Sequence, residues 1–172
     1  MRKHMKRIIF LFLAFFLFYS GSALAQNEKF KALFMYNFTK YLEWPENYRQ
    51  GDFIVTVIGD SPIIDELRVI AGKKKVGFQP IVVKKANSAS QIGKSHIVFI
   101  PESKSGMLNE VKSQVATNST VIITDNDGAI EKGAAINYVV TGGRQMFEIS
   151  RSNLEASNVK VGADLLSLGI SK

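Results

Sequence analysis

The sequence predicts an α/β fold: a mostly parallel sheet flanked by helices on both faces, with a C-terminal antiparallel hairpin. Three observations carry that expectation. Short runs that are apolar on both faces recur through the chain, FIVTVI at Phe53–Ile58, HIVFI at His96–Ile100 and TVIIT at Thr120–Thr124, as expected of strands covered by two layers. Between them lie segments with apolar residues at helical spacing. Near the end, Gly142-Gly143 separates two further strand-like runs, which is a hairpin signal.

In chain order, Met1–Arg7 is basic, Ile8–Tyr19 is a nearly unbroken apolar run, and Ala23-Leu24-Ala25 fits a small-x-small cleavage rule. Residues 1–25 therefore read as a secretory signal peptide, since the apolar core is shorter than the roughly 20 residues of a membrane span. No cysteine follows to carry a lipid, so the mature chain is expected to be soluble, without direct membrane insertion. Residues 26–172 suffice for a single domain.

The next stretch, Lys29–Pro45, is the most distinctive. Phe30, Leu33, Phe34, Phe38, Tyr41 and Leu42 draw one apolar stripe down a helix, with Lys31, Lys40 and Glu43 elsewhere. Pro45 predicts a stop near Glu43–Trp44, leaving Trp44, the only tryptophan, to seal a core edge. Asn37 interrupts the stripe and is expected to tie the helix to a strand end, a ligand or partner contact being the alternative.

Phe53–Ile58 then hands over at Gly59-Asp60-Ser61-Pro62 to a helix with Ser61 as N-cap, which stops at Gly72. A basic turn at Lys73–Lys75 leads to a strand at Pro80–Lys84, a short helix at Asn87–Ile92, the strand His96–Ile100, and a helix capped by Ser103 that carries Met107, Leu108, Val111 and Val115. After Thr120–Thr124 the runs Ala135–Val140 and Gln145–Ser150 form the hairpin, with the second at or near an edge. Val159–Val161 reads as extended chain, and a last helix begins near Gly162 or Ala163.

Composition excludes several functions. The whole chain has a net charge of +7, but the signal segment contains Arg2, Lys3, Lys6 and Arg7 and no acid, so the mature balance is +3. That does not indicate a nucleic-acid partner. Lys73–Lys75 and Lys84-Lys85 read as solvated faces. Without cysteine, thiol redox chemistry and thiolate metal sites are absent. His96 opens its strand, at the far end of the sheet from Asp60 and Asp125, so no Ser-His-Asp arrangement is expected and His96 reads as structural or surface. Gly93-Lys94-Ser95 fails as a phosphate loop because it precedes a strand. Asp125–Gly128 has the wrong spacing for a calcium loop and reads as a turn. No catalytic residue, metal or cofactor is expected.

Two sets of candidate residues remain. Ligands of open sheets sit beyond the carboxyl ends of the strands, where Asp60, Ser61, Glu102 and Asp125 form a polar rim able to bind a small ligand such as a nucleotide or amino acid; turn and capping chemistry is the alternative. Tyr36, Trp44 and Tyr48, on the first helix and just past it, are candidate partner contacts, with inward packing as the alternative. Arg144 and Glu148 share a strand face and are expected to form a partly buried ion pair, a partner contact being the alternative.

A secretion signal, KALFMYNFTKYLEWP, FIVTVIGDSP, SHIVFIPES, TVIITDNDG and QMFEISRSNLEASNVKVGADLLSLG, in that order, resemble the YfiR family of bacterial periplasmic proteins. The resemblance covers nearly the whole mature chain. It implies a sheet flanked by helices, a homodimer, and a non-enzymatic regulator. Such a regulator binds the periplasmic portion of an inner-membrane sensor, for the type member a diguanylate cyclase held inactive, and so limits cyclic-di-GMP signalling and biofilm formation. A histidine-kinase sensor is an alternative partner. The disulfide cysteines of the type member are absent here, which removes that route to redox control.

Overall fold

Apolar residues alternate between the two faces of every central strand, and the sheet they build sorts them into two cores. The computed structural model describes residues 20–172, with side-chain environments from residue 26. The basic and apolar parts of the expected signal peptide lie outside the described residues. Helix α1 (Ser20–Phe38) is followed by β1 (Leu42–Glu43), a 3-10 turn at Glu46–Tyr48, β2 (Phe53–Ile58), α2 (Ile63–Ala71), β3 (Lys75–Val76) and β4 (Gln79–Ala86). A 3-10 turn at Ala89–Gln91 precedes β5 (Ile97–Ile100), and another at Glu102–Met107 runs into α3 (Leu108–Val115). Then come β6 (Val121–Thr124), β7 (Ile136–Thr141), β8 (Arg144–Ile149), α4 (Arg151–Ala156), β9 (Lys160–Val161), α5 (Ala163–Leu168) and β10 (Ile170–Ser171).

The eight-stranded sheet has the order β10-β8-β7-β6-β5-β2-β4-β3. Strands β4, β2, β5, β6 and β7 are parallel neighbours. The β7–β8 pair is the antiparallel hairpin, and β10 adds a parallel edge beside β8. In chain order the parallel strands lie 2-1-3-4-5, a doubly wound arrangement whose switch point falls between β2 and β5. On one face Phe53, Val55, Ile97, Phe99, Val121 and Ile123 pack with Met35 and Phe38 of α1 and Ile63 and Leu67 of α2. On the other, Val98, Ile100 and Ile122 meet Leu108, Val111 and Val115 of α3. Among the described residues no helix is long and apolar enough to cross a membrane.

Several local expectations are corrected. Helix α1 ends at Phe38, five residues before the expected stop, because Leu42 and Glu43 pair as β1 with Val161 and Lys160 of β9. Asn37 does not reach a strand end; its side-chain carbonyl accepts from Lys40 Nζ at 2.8 Å on the surface. Neither serine caps a helix with its hydroxyl. Ser61 supplies its backbone carbonyl to Ile64 N–H, and Ser103 lies inside a 3-10 turn. Asn87–Ile92 yields only a 3-10 turn, and α4, with Ser150 as its N-cap, was not foreseen.

Trp44 does seal a core edge, edge-on to Phe53 with ring centroids 5.0 Å apart. Beside it, His96 is buried and acts as a clamp. Its Nδ1 accepts from Ile54 N–H at 3.0 Å, which requires the neutral ring, while Nε2 donates to the Tyr48 carbonyl at 2.7 Å. Burial pushes the imidazole below its ordinary pKa of 6.5 and outweighs the opposing effect of the Tyr48 carbonyl. The unfolded chain therefore takes up the proton first as pH falls. Stability is expected to be flat above the unfolded pKa of 6.5 and to drop below it, by up to about 1.4 kcal/mol per pH unit until the folded ring titrates. Urea unfolding at a series of pH values between neutrality and the carboxylate range measures this.

Candidate functional site

One buried lysine sets the orientation of α1. Lys31 falls outside the apolar stripe of the sequence, yet it points at the carboxyl end of β6, where Nζ donates to Asp125 Oδ2 at 2.7 Å and to Glu28 Oε1 at 2.8 Å. One turn further on, Met35 and Phe38 face the sheet, while Phe38 stacks on Tyr138 with centroids 6.1 Å apart. Tyr138 in turn donates its hydroxyl to the Lys31 carbonyl at 2.7 Å. Burial alone would lower the Lys31 ammonium, but its bonds to Asp125 and Glu28 outweigh that and hold its pKa above the ordinary value. Burial, with Asp125 and Glu28 nearby, holds the Tyr138 phenol well above its own.

A polar cleft of about 400 Å³ opens beside this pair, lined among others by Asn27, Lys31, Glu102, Asp125, Asn126 and Gln145. Its floor is ordered by Asn137, which is fully buried. The Asn137 side-chain carbonyl accepts from Thr124 Oγ1 at 2.7 Å and Asn126 N–H at 2.9 Å, and its amide donates to Glu148 Oε2 at 3.1 Å. Asp125 Oδ1 is buried with no partner among the described residues. The structure thus brings together two members of the expected rim, Glu102 and Asp125, and leaves Asp60 and Ser61 in a separate open depression with Arg68 and Lys85. Asp60 is exposed there and pairs with Lys85.

At the β2/β5 switch point, where a doubly wound sheet ordinarily takes its ligand, the Lys104 side chain lies against Gly59. A Cβ built on Gly59 would come 2.6 Å from Lys104 Cε, and its φ of 72° also suits glycine. Among the described residues no group of three or more His, Cys, Asp or Glu is placed to hold a metal ion.

Further along α1, toward and just past its C-terminal end, the surroundings become apolar and open. Phe34, Phe38 and Tyr41 meet Phe147, Leu165 and Leu168 along a groove of about 370 Å³, with Asn37 and Lys40 at its border. Leu33 on α1 is 45% exposed, and Leu168 on α5 is 58% exposed. Leu165 and Leu168 extend the groove onto α5.

The expected partner contacts are scattered. Trp44 and Tyr48 are buried in the core, Tyr36 is half-buried beneath Lys40, and Arg144 is exposed at the hairpin turn. The expected Arg144–Glu148 ion pair does not form; four residues along a strand separate two side chains by roughly 13 Å. Glu148 is instead held by Asn137 and by Lys172 at 3.1 Å.

Replacing Lys31 with Met should leave Asp125 buried without its cation. Loss of a partner from a buried pair costs about 3–5 kcal/mol. Asp125→Asn in the same background is expected to restore part of it, and chemical denaturation of the single and double variants measures the coupling.

No curated protein matches the chain. A family model described as YfiR/HmsC-like matches residues 28–170, from the start of the Glu28–Lys31–Asp125 network to the last strand. The chain therefore belongs to the YfiR/HmsC-like family.

Proposed function

We propose that this protein is a periplasmic, non-enzymatic regulator that represses a membrane-bound sensor, a diguanylate cyclase, by binding its periplasmic portion. Cyclic-di-GMP signalling and biofilm formation are thereby limited. The observation that carries this reading is the open groove between α1 and α5: an aromatic and leucine-lined slot whose exposed side chains no element of the described chain covers. Apolar area of this kind is the usual basis of a protein interface. Repression then follows from differential binding: a regulator that holds only the inactive sensor shifts the population toward it. Family membership supports the same reading; the working unit in this proposal is a homodimer, exported through a cleaved signal peptide.

The polar cleft supports a second reading, in which a small ligand such as a nucleotide or amino acid binds beside Lys31, Glu102 and Asp125. Because these groups also anchor α1, such a ligand would act on the helix that carries the groove. Thermal shift with nucleotide and amino-acid panels tests it; a panel without a stabilising compound counts against it.

Leu168→Glu places a carboxylate in the groove, and Leu33→Glu places one on the exposed side of α1 one turn before Asn37 at its border; both positions are exposed, so folding stability should change by less than about 0.5 kcal/mol. Each is expected to lose the sensor in co-purification from membranes and to raise cyclic-di-GMP and biofilm to the level of a deletion strain. Unchanged co-purification and unchanged cyclic-di-GMP in both variants would remove the groove from the interface.

A further inference from the structure

At the edge of the sheet farthest from the hairpin, β3 and β4 turn back on each other through two residues, Gly77 and Phe78, with Lys75 opposite Pro80 and Val76 opposite Gln79. Gly77 supplies the positive φ of 58° that so short a turn needs. The turn holds Phe78 at its apex, where the side chain is 99% exposed. Lys73, Lys74 and Lys75 lead directly into this turn; all three are exposed, and none forms an ion pair among the described residues. Lys94 lies at the same end of the sheet. Its Nζ donates to the Asn47 carbonyl at 2.8 Å and sits 4.6 Å from the Tyr48 ring centroid, while the Tyr48 carbonyl accepts from Gln79 of β4. The carboxylates at this end are Glu46 and Asp52, with Glu43 already paired to Arg49. Lysines therefore outnumber free acids around the tip.

We propose that this hairpin tip is a peripheral membrane-docking element for an anionic lipid surface: Phe78 enters the headgroup region while Lys73, Lys74 and Lys75 engage lipid phosphates. An aromatic ring beside several lysines matches the chemistry of a bilayer interface. The shape of the tip favours lipid over protein. A stable protein interface needs a broad complementary patch of about 800 Å² per partner, whereas one ring on a narrow turn suits a fluid surface that closes around it. This contact is superficial and crosses no membrane. It stands apart from the groove and from the identity of any sensor, so either reading survives failure of the other.

The test is co-sedimentation of the exported, purified protein with vesicles of phosphatidylcholine mixed with phosphatidylglycerol, and with phosphatidylcholine alone. Wild type is expected to bind the anionic vesicles, to release with salt, and to ignore the neutral ones. Phe78→Ala should weaken binding about fivefold, and K73Q/K74Q/K75Q about a hundredfold, from roughly fivefold per lysine. All four side chains are exposed, so the variants keep the wild-type fold, and circular dichroism checks this. In F78W the new indole should shift to the blue on anionic vesicles. A wild-type protein that stays in the supernatant, or variants that bind as wild type does, overturns the proposal. So does a tip that binds polyglutamate through its lysines and not vesicles, which would assign the patch to an acidic protein.

Discussion

The buried ion pair between Lys31 and Asp125 is the constraint on which the useful surface of this protein depends. A helix has one rotation about its axis to choose, and its apolar residues alone would turn Phe30, Leu33 and Phe34 inward. The ammonium cannot be left in an apolar layer without a counter-charge, and the nearest carboxylate lies at the end of β6. Meeting it rotates α1 so that Met35 and Phe38 enter the core and Leu33 stays out. The cost of burying a charge is thus linked to an exposed apolar edge.

That rotation links the two candidate surfaces. The polar cleft and the apolar groove lie along one helix, the cleft beside Asn27 and Lys31 and the groove beside Phe34 and Phe38, and Lys31, Tyr138, Phe38 and Phe147 form a continuous packed path between them. A ligand that competed for Asp125 would loosen the contact that sets the groove. The sheet supplies the rigid support: Asn137 ties the β6 loop to β7 and β8, the Lys104 side chain lies against Gly59 at the switch point, and the polar opening lies beside β6 and β7.

At the opposite end of the sheet the chemistry differs. His96 fastens the Tyr48 turn to β2 through a neutral ring, and the β3–β4 turn projects beyond that clamp. The two ends differ in what they expose: acids and amides with lysines paired to them around the carboxyl ends of the strands, and the unpaired Lys73–Lys75 with the exposed Phe78 at the amino ends. A molecule polarised in this way has a basis for facing a partner and a bilayer with separate surfaces.

By itself the sequence determined the layered α/β class, the six main strands to within a residue or two apart from the longer β4, the hairpin, the helix start at Ala163 and the edge-sealing role of Trp44, because each follows from local periodicity, glycine and proline. It also carried the family wording. Only the tertiary structure decided which face of α1 is buried, since that depends on a carboxylate 94 residues away. Distance in space likewise separated Asp60 and Ser61 from Glu102 and Asp125, and gave Glu148 to Asn137 and Lys172 in place of Arg144. Pairing between β1 and β9, which ends α1 early, was out of reach of any local rule, because its two halves are far apart in the chain.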